Sequence, residues 1–121
     1  MSTHKEREFG PQLVIDDAKE LGAGDLVHRG PVAYARTYAD AKYALFEAMA
    51  YKREPWDVVY MDHDLGDPRP DHTGLALLKW LYEYCRPERL PRVVKVITLN
   101  APAILPMARV ADAIMERRKA E

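Results

Sequence analysis

Short apolar runs alternate with segments of helical spacing along this chain. The runs contain β-branched or aromatic residues with few polar interruptions, which is typical of strands in a sheet covered on both faces. The predicted strands are residues 12–15, 31–38, 56–61 and 92–99. The sequence therefore predicts a sheet of four short strands.

Helical patterns lie between and after the later strands. Residues 40–52 are rich in helix formers, and Leu75 and Leu78 fall on one face of residues 73–85. Pro106 suits the first turn of a last helix. Strands and helices in alternation predict an α/β domain whose parallel sheet carries helices on both faces.

The composition narrows the class of protein. The 121 residues, 48% apolar and 31% charged, fit one soluble compact domain. A formal net charge of -1 provides no strongly basic surface for nucleic acid. Because no apolar run reaches membrane-spanning length and the start lacks a signal-peptide core, we expect a cytoplasmic protein without a membrane partner. Polar residues 1–10 predict a flexible arm before a single domain at residues 11–121.

Acidic side chains follow two of the predicted strands where each strand ends. Asp16 and Asp17 come directly after the first strand, and the run DVVYMDHDLGD places Asp62, His63 and Asp64 after the third. Carboxyl ends of neighbouring parallel strands meet at one edge of a sheet, so these groups converge if the strands are adjacent. The four acids therefore predict a site for Mg²⁺ or Mn²⁺, with Asp64 also a candidate catalytic group. The alternative is that some of them cap solvated turns.

Polar and basic side chains near the same edge are candidate phosphate ligands. Thr98 and Asn100 follow the fourth predicted strand, where a hydroxyl and an amide can donate to phosphate oxygens. Lys19 and Arg36 are the nearest candidate cations, although such residues are more often solvated surface groups. His63 is the candidate general acid or base of the cluster, or else a turn residue.

Five segments of the chain resemble, in order, a known family of domains. They are IDDAK at 15–19, YARTYADA at 34–41, MDHDLGD at 61–67, TGLALLKWL at 73–81 and ITLNAPAILPM at 97–107. Together they resemble the cyclic-phosphate processing receiver domains, a family derived from the receiver domains of two-component response regulators. The resemblance implies a receiver-like (flavodoxin-like) three-layer sandwich, a divalent metal at the acids, and action on nucleotide or RNA 2′,3′-cyclic phosphates.

The resemblance also identifies which functional residues of a receiver this chain has and which it lacks. Ordinary receivers have an acid pair like Asp16 and Asp17, a phosphoacceptor at the position of Asp62, and a hydroxyl matching Thr98. They also have a lysine at the end of a fifth strand, and we expect no fifth strand here. A phosphoacceptor switch on Asp62 therefore lacks one of its components.

A second departure follows the fourth strand, where the family pattern reads His-Ser-x-Asn-Pro-x-Gly. This chain keeps a hydroxyl and the asparagine but has Ile97 in place of the histidine. Two hypotheses stay open: a metal-dependent phosphoesterase acting on cyclic phosphates, or a catalytically degenerate receiver that binds a protein, nucleotide or RNA without turnover. The second would use a 100–106 loop that exposes Ile104 and Leu105 to a protein partner.

Overall fold

The computed structural model describes residues 9–120 and contains four strands and three α-helices within them. The first strand has the predicted bounds, the other three strands are shorter than predicted, and the first helix begins two residues earlier than predicted. The strands are β1 (Gln12–Ile15), β2 (Val32–Ala35), β3 (Val58–Met61) and β4 (Val93–Val96), and the helices are α1 (Tyr38–Met49), α2 (Gly74–Tyr84) and α3 (Ala101–Lys119).

The strands form one parallel sheet in the order β2-β1-β3-β4. Ile15 pairs with Ala35 and Met61, and Met61 pairs with Val96, so the carboxyl ends of all strands lie level. This order matches the first four strands of a flavodoxin-like sheet, in which ligands bind where β1 meets β3. The predicted α/β class with a four-stranded receiver-like sheet is confirmed.

The two faces of the sheet have different covers. Leu13, Ile15, Val59 and Met61 face a core to which all three helices contribute. On the other face, Val14, Val58 and Tyr60 are fully buried against Leu21 and Leu26, which belong to the β1–β2 segment. Both faces are therefore covered, but in the described residues the second cover is this segment with its short 3-10 turn at Ala23–Asp25, not the predicted helices.

Buried polar side chains explain why the β1–β2 segment needs no helix. The Tyr60 hydroxyl accepts a hydrogen bond from Val27 N at 2.7 Å and donates to Gln12 Oε1. Gln12 Nε2 donates to the carbonyl oxygens of His28 and Gly30, each at 3.1 Å. Because backbone groups removed from water need partners, these bonds substitute for those that a helix would make internally.

Close backbone contact joins the start of α2 to the end of β3. The Thr73 hydroxyl caps the helix by accepting from Ala76 N at 3.2 Å, and Gly74 N donates to His63 O at 2.9 Å. A Cβ added at Gly74 would lie 1.8 Å from Asp62 O. The Thr-Gly pair therefore lets the helix begin directly against the strand end that carries the acids.

The start of α3 corrects the prediction for residues 100–106. The helix begins at Ala101, not at Pro106, so the predicted loop is wrong and most of it is helical. Pro102 lies in the first turn, where a missing N–H costs nothing, and Asn100 precedes the helix with extended backbone. Ile104 and Leu105 are exposed, as predicted, but on the first turns of α3.

Two further expectations concern the arm and the membrane. Residues 1–8 of the predicted arm lie outside the described residues, and of the remainder the Phe9 ring packs edge-on against His28 with centroids 5.4 Å apart. The domain boundary at residue 10 stays a prediction. Within residues 9–120, none of the helices combines the length and apolar character needed to cross a membrane.

Candidate functional site

Three carboxylates converge where β1 and β3 end. Ligand oxygens of Asp16, Asp17 and Asp62 all lie within 4.8 Å of one another. Asp16 is buried, Asp62 is half-buried and Asp17 is exposed, so the group opens from the sheet edge towards solvent. The pairing of β1 with β3 brings the acids together, as the sequence predicts for adjacent parallel strands.

Backbone amides hold two of these carboxylates in place. Asp16 Oδ1 accepts from Ala18 N at 3.0 Å and from Lys19 N at 2.8 Å. Asp62 Oδ1 accepts from His63 N at 2.7 Å. Because each bond is short and made by the residues that follow the acid, the turn after each strand fixes the direction of its carboxylate.

Burial and neighbouring charge act together on Asp62. Desolvation raises the pKa of the Asp62 carboxyl, hydrogen bonds from Thr98 and the His63 amide oppose the rise, and the charges of Asp16 and Asp17 add to it. The pKa of Asp62 therefore lies above its ordinary value of 3.8. A bound cation would offset this repulsion, and an all-carboxylate donor set fits Mg²⁺ or Mn²⁺.

Two of the three clustered acids, Asp16 and Asp62, line a cleft of about 580 Å³. Asp64 lies in this cleft but outside the three-acid cluster, and its carboxylate accepts from Asn100 Nδ2 at 3.2 Å. The bond joins the β3 end to the start of α3. The polar lining is Asp16, Lys19, Asp62, Asp64, Thr98 and Asn100.

The turn after β4 presents a hydroxyl to this cleft. Ile97 N donates to Met61 O at 3.0 Å, which continues the β3–β4 pairing by one residue. Thr98 is 7% exposed, and its Oγ1 accepts from Asn100 N at 3.1 Å. Since the oxygen already accepts this bond, the hydroxyl proton is the part of Thr98 that takes part in its hydrogen bond with the Asp62 carboxyl.

The two candidate cations occupy different positions. Lys19 lines the cleft, whereas Arg36 donates through Nη1 to the carbonyl oxygens of Asp16 at 3.3 Å and Lys19 at 2.6 Å. Arg36 therefore ties the backbone of the acid-bearing turn to the end of β2. A phosphate contact by Arg36 stays a prediction.

The environment of His63 differs from that of the acids. Its Nδ1 is buried without a hydrogen-bond partner in the described part of the chain, and its side chain does not belong to the cleft lining. Its role as general acid or base stays a prediction. Sequence reasoning missed Leu99, which lines the cleft, although a leucine between a hydroxyl and an amide at a strand end is an available signal.

Comparison with curated proteins finds no match, and comparison with solved structures finds none either. Comparison with protein families matches residues 12–113 to the cyclic-phosphate processing receiver domain. The matched range contains all four strands, the three clustered acids and the turn after β4. Since this range covers most of its 121 residues, the chain belongs to the family of cyclic-phosphate processing receiver domains.

Proposed function

We propose that this domain is a metal-dependent phosphoesterase that opens the 2′,3′-cyclic phosphate of a nucleotide or RNA end. One observation carries the proposal: two carboxylates of the three-acid cluster, a lysine and a buried threonine share one cleft at the β1–β3 junction. Cyclic phosphate esters carry negative charge and oxygen acceptors, which such a set recognises once a cation balances the acids.

The three clustered acids are the proposed metal ligands. Asp16 and Asp62 are orientated by backbone amides, and Asp17 extends the donor set from the next position. Asp64, which accepts a hydrogen bond from Asn100, is a further oxygen donor within the cleft. Mg²⁺ or Mn²⁺ bound there supplies positive charge that stabilises charge developing on the phosphate.

Two donors that line the cleft together with the acids suit the phosphate oxygens. Lys19 supplies an ammonium group, and Thr98 supplies a hydroxyl whose oxygen is already engaged by Asn100 N. In ordinary receivers a lysine comes from a fifth strand, and Lys19 offers the same charge from the β1–β2 segment instead. Arg36 positions Lys19 by holding its carbonyl oxygen.

The reaction is the addition of water across one ester bond. A water oxygen bonds to phosphorus, the bond from phosphorus to the 2′ or 3′ oxygen breaks, and that oxygen takes up a proton. Asp64, exposed in the cleft, is the proposed acceptor of the proton that water loses. His63 is the proposed second acid–base group if its ring turns towards the cleft from its present buried position.

The test is turnover of a short RNA that ends in a 2′,3′-cyclic phosphate, with Mn²⁺ or Mg²⁺ in the buffer. We expect Asp62→Asn and Asp64→Asn to lower the rate by roughly a hundredfold or more, since each removes a charge in the cleft. Asp112→Asn is the matched control because Asp112 is exposed on α3 and does not line the cleft.

Three outcomes separate the possibilities. Turnover by wild type and Asp112→Asn alone supports the enzyme. Turnover that survives Asp62→Asn shows that the acids are not the reaction site. Wild type that leaves every cyclic phosphate intact with either metal rejects the phosphoesterase.

A receiver that binds its ligand without turnover is the second candidate. The observation that favours it is Ile97, which lines the cleft where the family pattern has a histidine. This candidate predicts that cyclic nucleotide binds in the presence of Mn²⁺ and is recovered unchanged. Ile97→His then tests the reason, because a gain of turnover would identify the missing histidine as the defect.

A further inference from the structure

The lining of the cleft also contains side chains whose chemistry differs from that of the acids. Ala18, Ile97 and Leu99 line the cleft together with the polar groups. Leu99 is 92% exposed, and the next most exposed large apolar side chain in the described residues, Tyr84, is 65% exposed. A leucine left in water forgoes the free energy gained when apolar surface is buried, so a ligand in the cleft that covers Leu99 would gain that free energy.

The exposure of Leu99 belongs to a fixed turn. On one side, Ile97 N donates to Met61 O at 3.0 Å, and on the other, Asn100 N donates to Thr98 Oγ1 at 3.1 Å. Ile97 is therefore held to β3, and Asn100, the residue before α3, is held to Thr98. These two bonds fix the backbone on both sides of Leu99, so the position of the leucine is defined.

Size and chemistry point to a ligand with two unlike parts. The cleft, at about 580 Å³, falls in the range of roughly 300–1,000 Å³ that holds small organic molecules and exceeds what one phosphate group fills. The lining offers carboxylates, Lys19 and the Thr98 hydroxyl, and it also offers aliphatic carbon from Leu99 and its neighbours. A charged phosphate with an organic group next to it matches both kinds of lining.

We propose that Leu99 contacts the nucleoside of a nucleoside phosphate while Lys19 and the acid-bound cation hold its phosphate. This inference rests on the proposed function and adds to it the side chain that contacts the nucleoside of the substrate. It makes Leu99 a specificity residue that acts on binding of the nucleoside and not on the bond that breaks.

The test measures calorimetric binding of two probes in Mn²⁺, uridine 3′-monophosphate and inorganic phosphate. Neither probe has a cyclic ester, so binding is separated from turnover. We expect Leu99→Ser to weaken nucleotide binding by roughly tenfold and to leave phosphate and Mn²⁺ binding unchanged. The variant should fold because the side chain is 92% exposed. Leu105→Ser is the matched control, since Leu105 is 58% exposed on α3 and outside the cleft lining.

Several results would overturn the inference. Unchanged nucleotide affinity in Leu99→Ser would reject the proposed contact. An equal loss of affinity for the nucleotide and for phosphate would show that Leu99 only shapes the turn. Loss in Leu105→Ser of the same size assigns the effect to the surface of α3, and wild type that binds neither probe rejects this inference together with a nucleotide site. If cyclic RNA is not turned over but the tenfold effect is seen, the phosphoesterase fails and the nucleoside contact stands.

Discussion

At the scale of single residues, the position of Gly74 is set by the backbone of the neighbouring strand end. Its hydrogen atom faces Asp62 O, where a Cβ would lie only 1.8 Å away, and the residue is buried. A methyl group there cannot be relieved by a side-chain rotation because the obstacle is backbone. The acid-bearing turn and the start of α2 must therefore move apart in any variant with a side chain.

We expect Gly74→Ala to lower the free energy of unfolding by about 3 kcal/mol, the upper part of the usual range for overpacking. Urea unfolding followed by circular dichroism measures the change. Gly24→Ala is the control, because a Cβ there meets nothing within 4 Å. Equal stability of the two variants would show that α2 shifts without cost.

Asp62 gives a prediction whose sign depends on its raised pKa. An acid whose pKa is higher in the folded state than the ordinary 3.8 costs stability at neutral pH, and the cost disappears at pH values below the unfolded pKa. We therefore expect Asp62→Asn to raise the melting temperature by a few degrees in EDTA at pH 7 and to lose the stabilisation that Mn²⁺ gives wild type. A lower melting temperature in EDTA would contradict this, and Asp112→Asn should change neither quantity.

Cys85 is a buried thiol whose chemistry follows from its surroundings. Burial raises the pKa of Cys85 to about 11, and the side chain is 1% exposed. Because the thiolate is the reactive form, we expect a thiol reagent at pH 8 to label the folded protein slowly and the urea-unfolded protein at the rate of a free cysteine. Rapid labelling without denaturant would show that the C-terminal end of α2 opens readily.

At the scale of elements, α3 carries two prolines in unlike positions. Pro102 lies in the first turn, where its missing N–H would have no partner in any case. Pro106 lies inside the helix, where its ring removes the hydrogen bond to the carbonyl oxygen four residues before it.

The two positions predict opposite effects of alanine. We expect Pro106→Ala to raise the free energy of unfolding by about 1–2 kcal/mol, and Pro102→Ala to lower it by about 0.5 kcal/mol through the greater freedom of the unfolded chain. Chemical denaturation of both variants beside wild type measures the difference. Destabilisation by Pro106→Ala would mean that the ring itself packs usefully.

The helices and strands also show which parts of the fold could be predicted from the sequence. Apolar runs located every strand. In β1 and β3 the reason is burial on both faces, which leaves a continuous apolar pattern, whereas β2 and β4 are partly exposed. The predicted start of α3 was wrong because Pro106 looks like a first-turn residue, whereas Pro102 is the proline that lies in the first turn. The non-helical cover of the second face was missed for a similar reason, since it depends on Gln12 and Tyr60, which lie on other elements.

At the scale of the whole molecule, Asp57 joins parts of the chain that lie far apart in sequence. Its carboxylate accepts from Arg92 Nε at 2.9 Å and Nη2 at 3.1 Å, and pairs with His28 Nε2 at 2.7 Å. Burial acts to raise the pKa of Asp57, but the hydrogen bonds from Arg92 and His28 outweigh it and lower the pKa below 3.8. The group fastens the β1–β2 segment and β4 to the sheet end opposite the cleft.

A lowered pKa means that this group stabilises the protein above the unfolded pKa and that the stabilisation is lost as pH falls through the folded pKa. We expect Asp57→Asn to cost about 2 kcal/mol at pH 7, the scale of hydrogen bonds to a charged group. The difference from wild type should begin to shrink below pH 3.8, where Asp57 of the unfolded chain becomes protonated. It should shrink further as pH falls through the lower pKa of the folded protein. Denaturant titrations at pH 7 and pH 3 test both statements, and a pH-independent difference would contradict the second.

The candidate site was predictable to the extent that topology alone decides it. Asp16, Asp17 and Asp62 meet because β1 and β3 are parallel neighbours, which the alternating pattern already indicated. The separate place of Asp64 beside Asn100, and the tie from Arg36 to the backbone, depend on the paths of three loops. Strand patterns carry no information about such paths.

The outer strand β4 has a consequence for the protein in solution at high concentration. In the described residues it borders only β3, and three of its four residues are valine. An open edge of this kind invites pairing with the same edge of other molecules, the first step towards fibrous aggregation. Lys95 is the exposed exception in that strand. Its charge opposes pairing of such edges. Replacing Lys95 with an apolar residue would therefore lower the solubility of the protein, while the cleft, which Lys95 does not line, would keep its lining.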